Sequence, residues 1–211
     1  MIKVFFGFGI RRLFATISAL MVCGCLAGAA SASEEKTECD RLVSHPRDPD
    51  RVTTGVPTSE VDVPAGIAAC EAAVKADPDS ARAHYQLGRV YFYDGQVDEA
   101  MPHLEIAAAA SHRQTMFVLG YILDTGLSGV DPDTCRTEDL WARAARAGRL
   151  AALVTYPHHV VRGRFDDCTV QVSNDEMMGF LEQAVTFDLD YYQRVLVADV
   201  MEDLVAYTAS D

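Results

Sequence analysis

The sequence is short of basic residues. Its 18 lysines and arginines stand against 31 aspartates and glutamates, which gives a formal charge of −13 at neutral pH. The acidic residues are spread along the chain, and such an excess of negative charge repels phosphate backbones. We therefore expect no nucleic-acid partner, whereas a protein or peptide partner remains compatible with this composition.

Patterns that carry enzyme chemistry are also missing. The sequence has no G-x-x-x-x-G-K, no G-x-S-x-G and no H-E-x-x-H pattern. The adjacent carboxylates Asp166 and Asp167 have no nearby histidine or glycine frame. Adjacent His158 and His159 would point about 100° apart on a helix and so could not readily share one metal ion. The sequence thus predicts no catalytic residue, no cofactor and no metal site.

The one long apolar run lies at the beginning of the sequence. Lys3, Arg11 and Arg12 precede an apolar stretch over 13–30, and Ala30-Ser31-Ala32 offers an A-x-A cleavage site. This order is typical of a secretory signal peptide, here over 1–32. Cleavage would leave 179 of 211 residues with 15 basic and 31 acidic side chains, a formal charge of −16. We expect a periplasmic or secreted protein whose mature chain does not span a membrane.

Two alternatives to a cleaved signal remain open. The apolar stretch is long enough for an uncleaved membrane anchor. Val22-Cys23-Gly24-Cys25 is similar to a bacterial lipobox, which would attach a lipid at Cys25. The A-x-A site downstream competes with that lipidation.

Cysteine is scarce after residue 32. Four remain, at Cys39, Cys70, Cys135 and Cys168, and an even number in an exported chain favours disulfides. Three pairings are possible. The sequence separations of 31 and 33 residues favour Cys39–Cys70 and Cys135–Cys168, because each would tie one structural unit to its neighbour. A metal site is the rival interpretation, but C-x-x-C and C-x-x-x-H spacings are absent.

Strand signals are almost absent, and helical periodicity begins at about residue 62. The region 33–62 is polar, contains three prolines and predicts an extended lead-in. Asp62, Ser80, Asp98 and Ser173 suit helix starts, since their side chains can cap free backbone N–H groups. Helices are expected at about 63–76, 80–94, 98–108, 113–125, 137–147, 150–161, 174–185 and 189–207. Pro157 should end or kink the sixth of them.

Two Leu-Gly signatures, Leu87-Gly88 and Leu119-Gly120, occur 32 residues apart within this helical region. A period of this size is typical of stacked helix pairs, because a single pair cannot bury both of its apolar faces. Residues from about 80 to 153 resemble tetratricopeptide-type repeats. The first unit is similar to the plain tetratricopeptide repeat, and the second, with Gly126, Trp141 and Gly148, is similar to the Sel1-like variant. A third Leu-Gly pair is replaced by Tyr156-Pro157, so we expect a degenerate third repeat.

The resemblance implies an all-α fold, a short right-handed α-α solenoid of about three to four antiparallel helix pairs. We expect repeats over 63–163 and a capping helix pair over 164–211. Exported Sel1-like proteins often carry disulfides between paired helices, which agrees with the local cysteine pairing. The resemblance also implies a concave groove lined by the first helix of each pair. Groove positions carried over from the family are Arg82, Tyr85, Arg89, Tyr93, Gln114, Phe117, Tyr121 and Asp124.

Two arginines among aromatic side chains could bind a peptide carboxylate through charge-assisted hydrogen bonds. Alternatively, these arginines pair with nearby acidic residues and the aromatic side chains pack. We expect an exported scaffold or adaptor of the bacterial cell envelope that binds a protein or peptide and is not an enzyme. A regulatory inhibitor or chaperone accessory of an envelope enzyme is the alternative, and an envelope hydrolase is a more distant one.

Overall fold

The computed structural model describes residues 35–170 and 172–209, and every described element is a helix. The expected signal peptide, the lipidation site at Cys25 and the cleavage site after Ala32 lie outside the described residues. The α-helices are α1 Glu38–Val43, α2 Val63–Ala76, α3 Ala81–Tyr93, α4 Val97–Ala109, α5 Arg113–Thr125, α6 Thr134–Arg146, α7 Leu150–Val160, α8 Asn174–Ala184 and α9 Tyr191–Thr208. Short 3₁₀ turns lie at Thr58–Glu60 and Leu127–Gly129.

Several of the described helices begin where a short polar side chain caps the first turn. The side chains of Asp62, Ser80, Asp133, Ser173 and Asp190 each accept a hydrogen bond from a backbone N–H in the first turn of the helix that follows. These bonds satisfy donors that have no partner inside the helix. The cap at Asp133 starts α6 at Thr134, three residues before the start expected from the sequence.

The helices pack as successive neighbours, in the order of an α-α solenoid. The pairs α3–α4, α5–α6 and α7–α8 follow one another, with α1–α2 before them and α9 packed on α7 and α8. A large core joins α3 to α9 around Leu119, Trp141 and Leu153, and a smaller one joins α1, α2 and α3 around Val43 and Val90. The expected short array of stacked helix pairs is confirmed.

Both Leu-Gly glycines allow close helix contacts. A Cβ atom added at Gly88 would lie 2.8 Å from Leu104, and one added at Gly120 would lie 2.5 Å from the indole nitrogen of Trp141. These distances are well below van der Waals contact, so the partner helix can approach only because no side chain projects there. The glycines therefore set the spacing of α3 against α4 and of α5 against α6.

Both predicted disulfides are present. Cys39–Cys70 joins α1 to α2, and Cys135–Cys168 joins the start of α6 to the segment after α7. The alternative pairings and the rival metal site are therefore excluded for these four cysteines.

Pro157 lies inside α7 without ending it at once, and α7 continues for three more residues to Val160. Proline lacks the N–H that would bond to the carbonyl four residues earlier, but the turn is held by the packing of Tyr156 and Pro157 in the interior. The helix then ends in a turn closed by backbone bonds to His159 and Pro157.

The expectation of an extended lead-in is wrong for part of 33–62. Residues 38–43 form α1, which begins with a capping box between Thr37 and Asp40. The sequence did not predict this helix because six residues are too few to show a helical periodicity. Residues 44–57 then cross the helices of the solenoid, with Ser44 and Asp48 fully buried. We call residues 35–57 the N-terminal strap.

Candidate functional site

The N-terminal strap lies on one face of the helices α3, α5 and α7. We call this face the inner face; it consists of Arg82, Tyr85, Gln86, Arg89, Gln114 and Arg149. All six side chains are buried. Arg82, Gln86, Arg89 and Tyr93 recur along α3 at intervals of three or four residues, so the helix presents them on one side.

Arg82 and Asp40 form a buried ion pair between the inner face and the strap. Arg82 Nε donates to Asp40 Oδ1 at 2.8 Å, and the two side chains are 7% and 1% exposed. Gln86 Nε2 donates to the same carboxylate oxygen at 2.9 Å. Burial alone would raise the pKa of Asp40, but hydrogen bonds from Thr37, Gln86 and Arg82 lower it below its ordinary value. The strap thus supplies a fully charged partner for the first inner-face arginine.

Arg89 is held by backbone oxygens of the strap. Its guanidinium donates to the carbonyls of Val43 and Val56, the latter at 3.0 Å, while its Nε donates to Tyr93 Oη at 2.9 Å. Tyr93 Oη also lies 3.0 Å from Thr58 Oγ1. The two arginines that the sequence offered for a peptide carboxylate are therefore bound to the chain's own N-terminal segment.

The remaining groove positions divide between buried and open. Gln114 is buried and accepts a hydrogen bond from Arg149 Nε at 2.6 Å. Phe117 is half-buried, with the Arg149 guanidinium 5.4 Å above its ring. Tyr121 is 49% exposed. Asp124 pairs with Arg164 at 2.9 Å, away from the strap. The open groove expected over all eight positions is thus covered at Arg82, Tyr85, Arg89 and Gln114.

An open cleft remains beside the strap, between α5, α7 and α9. It has a volume of about 390 Å³, and the residues that line it are His45, Arg47, Gln114, Phe117, Val118, Arg149, Leu150, Ala151 and Gln193. A hollow of about 200 Å³ adjoins it through Leu150, Ala151 and Gln193 and adds the apolar side chains of Val154, Leu189, Leu196 and Val197. The open cleft therefore combines an apolar floor with cationic side chains on one side.

Two features of the open cleft favour a negatively charged group. Arg149 makes one hydrogen bond within the described residues, from Nε to Gln114, so its two terminal amino groups have no hydrogen-bond partner there. Arg149 is also the N-cap residue of α7, and no side chain caps this helix end. Free N–H groups and the helix dipole make such an end attractive to a carboxylate. The cleft is thus suited to an anion attached to an apolar chain.

Sequence reasoning missed Arg149, Arg47 and His45 because they follow from no repeat position. A partial signal existed. The predicted lead-in carries acidic side chains at Asp40, Asp48 and Asp50, and the inner face carries several arginines. This charge complementarity could have suggested that the lead-in covers the inner face.

Among the described residues, no helix is both long and apolar enough to cross a membrane.

The fold and the site together define a helical-repeat protein, in which antiparallel helix pairs present one face to a bound segment. A family model described as a tetratricopeptide repeat matches residues 69–101, from α2 into α4. A Sel1 repeat protein from Oxalobacter formigenes has a similar crystal structure, with a TM-score of 0.50 and 22% sequence identity; the match covers 61% of this chain and 96% of that one. No curated protein matches the chain. The family model thus matches one repeat-sized segment, and the structural similarity shows a shared fold; both agree with the tetratricopeptide/Sel1-like resemblance found in the sequence.

Proposed function

We propose that this protein is an exported scaffold of the bacterial cell envelope that binds a protein or peptide partner. The signal-like pattern over 1–32 supports export, and so do the two disulfides, because such bonds persist in oxidising compartments. The repeat fold supports a binding role, since repeat arrays present extended surfaces to other proteins.

The partner-binding surface in this proposal is the open cleft, and its ligand is a peptide that ends in, or contains, a carboxylate. The observation that carries this assignment is Arg149, whose terminal amino groups have no hydrogen-bond partner among the described residues and which stands at the uncapped start of α7. Arg47, exposed on the strap, adds a second positive charge at the cleft. The apolar side chain next to the carboxylate would lie over Phe117, Val118 and Leu150.

This assignment changes the residues of the predicted peptide site but keeps its chemistry. Arg82 and Arg89 were the sequence's candidates for binding a carboxylate, with pairing to nearby acidic residues as the alternative, and their donors are used by Asp40 and by strap carbonyls. Phe117 and Gln114 stay at the site in this proposal. Tyr121, exposed one turn further along α5, would extend the surface.

The proposal is tested with a pool of synthetic peptides of random sequence, prepared with free and with amidated C-termini. The disulfide-intact mature protein is immobilised, and retained peptides are identified by mass spectrometry. Charge-assisted hydrogen bonds contribute about 1.5–3 kcal/mol, so we expect the free acid of the best peptide to bind at least roughly tenfold more tightly than its amide.

Variants then locate the binding surface. Arg149→Gln and Arg47→Ala should each weaken the binding of that peptide, whereas Arg41→Ala should not, because Arg41 is an exposed arginine of α1 that pairs with Glu38. Equal affinity of acid and amide, or equal weakening by Arg41→Ala, would refute the cleft as a carboxylate site.

A further inference from the structure

Three potential metal ligands meet where the strap crosses the start of α5. Asp48 and Asp50 belong to the strap, and His112 is the N-cap residue of α5. One ligand atom from each lies within 4.8 Å of the other two. His112 Nε2 is 3.5 Å from Asp48 Oδ2 and 4.0 Å from Asp50 Oδ2. His112 is more than 60 residues away from the two aspartates in the sequence, so only the folded strap brings the three side chains together.

Two of these ligand atoms are buried without a hydrogen-bond partner among the described residues. They are Asp48 Oδ2 and His112 Nε2, on side chains that are 0% and 4% exposed. The other polar atom of each side chain is used: Asp48 Oδ1 accepts from the Asp50 backbone N–H at 2.9 Å, and His112 Nδ1 lies 2.9 Å from Thr115 Oγ1. The two unused atoms are the pair that face each other in the cluster.

A direct hydrogen bond does not account for this pair. Protein N–H···O bonds are 2.7–3.2 Å long as a rule, and the separation of Asp48 Oδ2 and His112 Nε2 is 3.5 Å. Leaving a buried polar atom unpaired is costly, so the arrangement calls for a third group between them.

We propose that Asp48, Asp50 and His112 bind a divalent first-row transition-metal ion, with Zn²⁺ as the best-suited ion. One imidazole nitrogen with two carboxylate oxygens is a donor set of such ions, whereas Ca²⁺ and Mg²⁺ take oxygen ligands alone. As the N-cap of α5, His112 Nδ1 accepts from the Thr115 backbone N–H at 3.3 Å, and Thr115 Oγ1 lies 2.9 Å from the same nitrogen. A metal at Nε2 requires the other tautomer, in which Nδ1–H donates to Thr115 Oγ1 and the capping bond is given up.

The surroundings set limits on this site. An adjoining hollow that opens to solvent is lined by Asp50, Ser111 and His112, and also by the cationic side chains of Arg82 and Arg113. Arg113 donates to both oxygens of Asp50, and Arg149 also acts electrostatically on Asp48. These positive charges oppose a cation, so we expect weaker binding than at a closed structural zinc site.

Bound metal would fasten the strap to α5. Two ligands come from the strap and one from the solenoid, so binding requires the covered state of the inner face and stabilises it by mass action. The inference is independent of the open cleft, because none of the three ligands belongs to the cleft's lining.

The test uses the disulfide-intact mature protein, first treated with EDTA and then titrated with ZnCl₂ by calorimetry. We expect one Zn²⁺ per chain. Asp48→Asn keeps the oxygen that accepts from Asp50 N–H, and His112→Asn keeps a good N-cap for α5, so both variants should fold. Each should weaken Zn²⁺ binding at least roughly tenfold. The control is His103→Asn, which alters the His84–His103 contact away from the proposed site and should leave the affinity unchanged.

Two measurements on the unaltered protein keep the inference testable if a variant misfolds. X-ray absorption of the Zn²⁺ complex should show one imidazole and no sulfur ligand. Trypsin cleavage after Arg47 and Arg51 should slow when Zn²⁺ is added, because the metal holds the strap down. No stoichiometric binding, a loss of binding in His103→Asn instead, or cleavage rates unaffected by Zn²⁺ would overturn the inference.

Discussion

Replacing Gly120 by alanine gives a direct test of the close contact between α5 and α6. The added Cβ would lie 2.5 Å from Trp141 Nε1 and 2.6 Å from Trp141 Cδ1. Trp141 cannot easily move away. It is 1% exposed, its Nε1 donates to the Phe117 carbonyl at 3.0 Å, and Phe117, His159 and Phe165 lie against its ring.

The expected loss follows from three contributions. Overpacking a well-filled core costs about 1–3 kcal/mol. A shift of the indole would also leave a buried N–H donor without its acceptor, a further loss of about 1–3 kcal/mol. Alanine gains about 1 kcal/mol over glycine in a helix interior, which offsets part of this. We expect Gly120→Ala to lower the free energy of unfolding by about 1–5 kcal/mol, with about 3 kcal/mol as the central value.

The matched control is Gly179→Ala in α8. Gly179 is exposed, and no atom lies within 4 Å of an added Cβ. Here only the helix preference acts, so the variant should be more stable by about 0.5–1 kcal/mol.

Thermal unfolding followed by circular dichroism distinguishes the two variants. For a chain of this size, 1 kcal/mol shifts the Tm by about 2–4 °C. At the central value Gly120→Ala should therefore melt about 6–12 °C below the unaltered protein, and Gly179→Ala should melt slightly above it. If the two variants shift the Tm in the same direction, the account of Gly120 as a contact glycine is wrong.

Three further predictions concern the strap and the disulfides. Arg82→Ala should lower the free energy of unfolding by about 3 kcal/mol in urea, because Asp40 would stay buried without its ion partner, and the added change Asp40→Ala should recover part of that loss. Replacing both Cys135 and Cys168 by alanine should cost about 3–4 kcal/mol by the chain-entropy relation for a 33-residue separation, and a loss under about 1 kcal/mol would contradict that relation here. Burial, then the charges of neighbouring arginines, lower the pKa of His45 to about 4, so the unfolded chain binds a proton there at a higher pH than the folded one does. As the pH falls from about 6.5 to about 4, the unaltered protein should lose up to about 3 kcal/mol more of its free energy of unfolding than His45→Gln does. Solvent screening of this partly exposed side chain reduces that difference, and equal pH profiles of the two proteins would refute the prediction.

The helical part of the fold could be predicted because its signals are local. Caps such as Asp62, Ser80 and Ser173 act on the next three residues, and the Leu-Gly pairs repeat at helical spacing. The two disulfides could be predicted as well, because their sequence separations of 31 and 33 residues are close to the length of one helix pair. These features need no knowledge of distant contacts.

The candidate site could be predicted only in part. The groove positions on α3 and α5 follow from the repeat, but their accessibility depends on a segment with no periodicity. Asp40 lies 42 residues before Arg82, and the Asp50–Arg113 contact joins residues 63 apart. Such pairs form through tertiary packing, which hydrophobic patterning along the chain does not encode. Arg149 was missed for the same reason, since its role depends on the absence of a cap at α7 and on the neighbouring strap.

The disulfide between Cys39 and Cys70 makes the strap part of a covalent ring. Residues 39–70 form a closed loop in which the strap from residue 39 onward is tied to α2 at both ends. A strap displaced from the inner face would remain within a short distance of it, and tethers of this kind give effective concentrations in the millimolar range. A free peptide would compete for Arg82 and Arg89 against an occupant that never diffuses away. Arg82 and Arg89 are therefore closed to ligands of ordinary affinity, and the surface left for the proposed recognition is the open cleft at Arg149, which the ring borders with His45 and Arg47.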